Sequence, residues 1–82
     1  MNVDEVVDRI DEVMTEHSMP KRVNNTLDKI KKELLQTEED LVVRATSAIY
    51  SIEDISNDVN IPMHTKTVLW DITGMLEQLK EE

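Results

Sequence analysis

The sequence predicts an all-α domain of four antiparallel helices, formed by two helical hairpins. Three observations predict it. Apolar residues recur at steps of three and four in four separate stretches, each drawing one apolar stripe along a helix. The 82 residues include one Gly and two Pro, too few for the frequent turns of a multi-stranded sheet. The chain also repeats itself. A shift of 42 residues sets Val7 on Ile49, Ile10 on Ile52, Val13 on Ile55, Met19 on Ile61, Pro20 on Pro62, Leu27 on Leu69, Ile30 on Ile72 and Leu34 on Leu76. Two-helix units of the HEAT type have a period of about 40–47 residues.

The elements follow in order. Val3, Val6, Ile10 and Val13 mark a helix over about 3–16, opened by a capping box of Asn2 with Glu5. Val23, Leu27, Ile30 and Leu34 mark a second over about 20–35, with Pro20 in the first turn and Ser18 beside it as a cap. Ala45, Ala48, Ile52 and Ile55 mark a third over about 40–56, with Thr37 and Asp40 spaced as a capping box. Thr65, Leu69, Ile72, Leu76 and Leu79 mark the fourth, over about 62–80, with Pro62 and Asn60 in the roles of Pro20 and Ser18. Short links make neighbours antiparallel. Residues 1–82 thus read as a single domain, with 1–36 the first hairpin and 37–82 the second. The hairpins either stack in the HEAT manner or close as an up-down bundle.

Two resemblances attach to particular residues. The segment from Asp40 to Ile49 resembles the opening of a HEAT-type helix, with Asp before Val-Arg and then Ala; the first half has Asn2 where this one has Arg44. The order E-E-D-x-x-V-R-A at 38–45, A-I-x-x-I-E-x-I-S-x-D at 48–58 and N-I-P-M-H-T-K-T-V-L-W at 60–70 is similar to the archaeal uncharacterised protein family 0147. That resemblance implies a small helical archaeal protein and brings no catalytic residues to carry over.

Composition narrows the chemistry. There is no cysteine, hence no disulfide, thiolate metal site or cysteine nucleophile, which suits a reducing cytosol. No apolar run is longer than that of Leu41-Val42-Val43, far below the roughly 18–20 residues of a membrane span. No signal segment opens the chain. The expected location is cytoplasmic, with no membrane partner. A di-iron bundle needs Glu-x-x-His on two helices, but His17 follows Met14 and His64 follows Ile61 at that spacing. Asp4, Asp8, Asp11, Glu12 and Glu16 form an acidic helix face of the solvated kind. Ser18, Ser47, Ser51 and Ser56 sit in no nucleophile motif, and so small a bundle has little room for a pocket. The expectation is a non-enzyme without cofactor or metal.

The repeat singles out candidate binding residues. Lys21, Asp28 and Lys32 lie opposite the apolar stripe of helix two. Their counterparts after the shift are Met63, Trp70 and Gly74, joined on the same helix face by Thr67. Asp8 of helix one corresponds to Tyr50, and Val43 lies on the same side as Tyr50. The second hairpin thus has apolar and aromatic groups where the first has charge. Such residue types are enriched at protein interfaces. The expected role is a small protein-interaction module that pairs with itself, most economically as a dimer.

Helix two offers the alternative. Lys21, Arg22, Lys29, Lys31 and Lys32, against Asp28 and Glu33, leave that segment at +3 and the remainder of the chain at −12. Lys21, Arg22, Lys29 and Lys32 cluster away from the stripe, where they would contact RNA or another anion in a ribonucleoprotein-associated accessory protein. A net charge of −9 opposes that approach, and no aromatic is interleaved to stack on bases.

Overall fold

The computed structural model describes residues 2–16 and 19–81; His17 and Ser18, and with them the proposed Ser18 cap, lie outside the described residues. Those residues form four helices and no strand: α1 Val3–Met14, α2 Lys21–Leu35, α3 Leu41–Ser56 and α4 Met63–Glu81.

The helix ends show which local signals act. At α1 the Asn2 Oδ1 accepts the Glu5 N–H at 3.0 Å, and Asp4 and Glu5 favour the positive end of the helix dipole. This helix closes at Met14, two residues earlier than expected. There the Thr15 hydroxyl donates to the Glu12 carbonyl at 2.7 Å, and the Glu16 N–H donates to Val13 at 3.1 Å. Such short-range bonds tighten and end a helix. Both prolines stand one place outside their expected position. Pro20 is the cap residue of α2, with ψ at 145°, and its carbonyl accepts the Asn24 N–H at 3.1 Å. Likewise the Pro62 carbonyl accepts the Thr65 and Lys66 N–H groups, each at 3.1 Å. Asn60 acts here through its backbone, its N–H donating to Asp58 Oδ1 at 2.8 Å.

The Thr37–Asp40 capping box does not form. Asp40 is itself the cap residue of α3 and makes no side-chain cap bond, so Thr37 lies three residues upstream in the link. The link is held instead by Arg44. Its Nε donates to the Glu39 carbonyl at 3.0 Å and its Nη1 to the Leu34 carbonyl at 2.6 Å. One guanidinium therefore satisfies a free carbonyl in the last turn of α2 and fixes the entry to α3.

The core is aliphatic apart from Thr65 and the thioether of Met19. Val6, Ile10, Val13, Val23, Leu27, Ile30, Leu34, Ala45, Ala48, Ile52, Leu69, Ile72 and Leu76 are fully buried. Val7 and Ile49, and Met19 and Ile61, are buried as well, while Ile55 is half-buried against the cluster. Helix α1 packs on α2, α2 on α3, α3 on α4, and α4 returns to α1. Neither the α1–α3 nor the α2–α4 pairing, which HEAT-type stacking of two hairpins would require, occurs among the described residues. Arg22 at the start of α2 pairs with Asp58 just past α3, and Ser47 near the start of α3 donates to Glu33 near the end of α2 at 3.3 Å. These two contacts run α2 and α3 antiparallel.

Three of the four seams have polar links. Lys31 Nζ donates to Asp11 at 2.8 Å between α2 and α1. Arg9 Nε donates to Asp71 at 3.0 Å between α1 and α4, and the same guanidinium pairs with Glu12. Arg22, Arg44 and Ser47 serve the α2–α3 seam. The α3–α4 seam has no polar side-chain link among the described residues.

Candidate interaction face

Helix α4 buries Thr65, Leu69, Ile72, Leu76 and Leu79. Met63, Thr67, Trp70 and Gly74 follow one another at steps of four, three and four on the opposite side, and all four are exposed. Trp70 leaves 54% of its surface in water and Met63 66%. The line is regular helix: the Thr67 hydroxyl donates back to the Met63 carbonyl at 3.1 Å, and no glycine has a positive φ. Gly74 therefore answers no backbone demand. A methyl group built on it would meet nothing within 4 Å beyond its chain neighbours and its own helix backbone, so it answers no packing demand inside the chain either. Glycine in a helix interior costs about 0.8–1.0 kcal/mol relative to alanine.

Tyr50 and Val43, 66% and 50% exposed, stand on the outward side of α3, opposite Ala45, Ala48 and Ile52. The six predicted residues thus form two strips on neighbouring helices. Sequence reasoning missed three further exposed apolar residues, Leu35, Val42 and Val59. The run Leu41-Val42-Val43 held the signal for one of them, since three consecutive residues of a helix cannot all face one core.

Three of the four basic-strip residues are already engaged. Arg22 pairs with Asp58, Lys32 with Asp28 at 3.0 Å, and Lys29 approaches Glu33 at 3.9 Å; Lys21 is exposed at the first turn. Of the acidic face on α1, Asp11 holds Lys31 and Glu12 holds Arg9. The bond to Asp11, followed by its negative charge, raises the pKa of Lys31 above the ordinary lysine value of 10.5. The bond to Asp71 likewise raises that of Arg9. Among the described residues no three His, Asp or Glu side chains stand together as a metal-binding group, and no helix is long and apolar enough to cross a membrane.

Between α2 and α3 lies an open groove of about 440 Å³, larger than the sequence led one to expect. Arg22, Asn25, Thr26 and Lys29 line one wall, and Ser51, Asp54, Ile55 and Asp58 the other. Cations on one side and carboxylates on the other make it mixed in charge. Only one polar side-chain atom of a fully buried residue is orphaned among the described residues, the hydroxyl of Thr65; Asn24 Oδ1 on half-buried Asn24 is also without a partner.

Residues 1–79 match the sequence profile of an uncharacterised protein family, UPF0147. The chain belongs to that family. A UPF0147 protein of Archaeoglobus fulgidus is 36% identical over 98% of this chain and 91% of its own length. One from Methanocaldococcus jannaschii is 35% identical over 87% and 76%. A crystal structure of a UPF0147 member from Thermoplasma acidophilum superposes with a TM-score of 0.86 at 32% identity, covering 93% of this chain and 89% of that one. A second crystal structure, of a protein of unknown function, gives 0.83 at 32% identity, over 92% and 85%.

Proposed function

We propose that this UPF0147 protein is a non-catalytic helical interaction module that associates with copies of itself through the outer face of α4. The observation that carries the reading is the half-exposed indole of Trp70, directly opposite the buried stripe of its own helix. Burying a large aromatic side chain is among the strongest contributions at an interface. Met63 and the bare backbone at Gly74 extend the same strip. Tyr50 and Val43 offer a second strip on α3.

The reading rests on a common frame for both halves, the 42-residue repeat, in which Asp28 and Trp70 are counterparts. The ring of helix contacts favours an up-down bundle over a HEAT-type stack. Such a bundle closes on itself and leaves its outward faces free. An RNA-contacting role for α2 is the weaker reading, since Arg22, Lys29 and Lys32 already face carboxylates of this chain.

Analytical sedimentation of the wild type and of Trp70→Ala tests the proposal. The wild type is expected to show a reversible dimer, and the variant a monomer of unchanged helicity. A wild type that stays monomeric at every accessible concentration defeats it. Salt-sensitive retention of the monomer on an RNA column would favour α2 instead.

A further inference from the structure

The residues on the outer face of α4 are arranged symmetrically about one level of the helix. Trp70 and Gly74 lie two residues to either side of Ile72. Lys66 and Glu77 lie eleven residues apart, about three helical turns, on one flank of the same face and centred within about half a residue of that level. Among the described residues neither Lys66 nor Glu77 belongs to an ion pair. An isologous contact requires this arrangement: if residue i meets residue j of the partner, j must meet i.

The geometry points to an antiparallel pairing of α4 with α4 of a second copy, about a two-fold axis at the level of Ile72. Each Trp70 indole seats over Gly74 of the other copy, and each Lys66 pairs with Glu77 of the other copy. This inference rests on the self-association proposed above and specifies its geometry. The glycine, which serves neither backbone nor packing within its own chain, lets the indole approach the opposing helix closely. Two opposite-charge contacts, one at each side of the paired indoles, fix the direction. A parallel alignment would set Lys66 on Lys66 and Glu77 on Glu77. It would also bring indole against indole and leave the glycine gap empty. Because the face is complementary to itself in charge and in shape, a second copy is the partner it fits.

Three measurements test the arrangement on the full chain. Gly74→Leu fills the seat; it should raise the dimer dissociation constant at least about ten-fold without lowering the monomer's melting temperature, since the site is open and leucine is the better helix former. Lys66→Glu and Glu77→Lys should each weaken the dimer about ten-fold, and the two together should restore it. The chain has no cysteine, so a spin label on a single cysteine at His64, eight residues from the axis, reports direction. The labels in an antiparallel dimer stand about 24 Å apart along the helices. In a parallel dimer they stand abreast, near the interaxial spacing of roughly 10 Å. A dimer with abreast labels, or one that the double charge reversal fails to restore, overturns this geometry while self-association stands. Absence of any wild-type dimer overturns both.

Discussion

Leu27 on α2 and Leu69 on α4 fall on one another when the sequence is shifted by 42 residues, and both are fully buried. One residue later the halves part. Asp28 pairs with Lys32 at 3.0 Å on a polar helix face, whereas Trp70 leaves half its surface in water on an apolar one. Where the interior sets the requirement, the two halves use interchangeable apolar groups at every such pair named above, with Thr65 against Val23 the exception. Where only water or a partner sets it, they differ in kind. The seams differ in the same sense, since polar links cross the three that involve α1 or α2, and among the described residues none crosses α3–α4.

The largest effects should arise where the halves agree. Leu27→Ala and Leu69→Ala each remove a fully buried side chain from one shared core and should each cost about 2–5 kcal/mol, measured by urea unfolding. If one of them proves nearly silent, the equivalence of the inner positions breaks. Next comes Arg44, which has no counterpart in the first half because Asn2 stands at that place. Arg44→Ala leaves the Leu34 and Glu39 carbonyls without their donor and should cost about 1–3 kcal/mol. Arg44→Lys should recover only part of this, since an ammonium cannot reproduce the forked geometry.

A smaller effect, of opposite sign, is expected at Thr65. This residue is fully buried with no partner for its hydroxyl among the described residues, and its counterpart in the first half is the fully buried Val23. Thr65→Val keeps the shape and removes the orphaned group, so it should stabilise the fold by about 1 kcal/mol. Destabilisation would show that the hydroxyl has an undetected partner, and would sharpen the contrast between the halves. The smallest effect concerns the α1–α2 link. The folded state holds the Lys31 proton more tightly than the unfolded chain does. Its contribution is therefore full below the unfolded value of 10.5 and declines as pH rises through the higher folded value. The stability difference between wild type and Lys31→Gln should shrink across that alkaline range and stay constant from there down to neutral pH.

Most of the fold was legible because the core is simple. Aliphatic residues at steps of three and four leave little choice of structure, and the stripes Val23–Leu34 and Thr65–Leu79 are buried as the spacing predicts. Helix ends were less legible. Pro20 and Pro62 suit either the cap or the first turn by their fixed φ, and spacing alone does not choose between them. Thr37 and Asp40 have capping-box chemistry, yet a guanidinium four residues further on supplies the link's bonds, a tertiary contact that no local motif encodes. On α4 the outward line was readable from the repeat. The groove between α2 and α3 was not, since it arises from small polar residues, Asn25 and Thr26, facing Ser51 and Asp54, and depends on which helices meet.

Among the described residues no aromatic ring lies in the interior, which has a practical corollary. The chain's one indole lies half-exposed outside the hydrophobic core, so its emission should respond to whatever settles on α4 while the helices are still folded. Fluorescence of the unlabelled protein, followed on dilution, therefore serves as an assembly meter, while circular dichroism of the backbone separately follows unfolding.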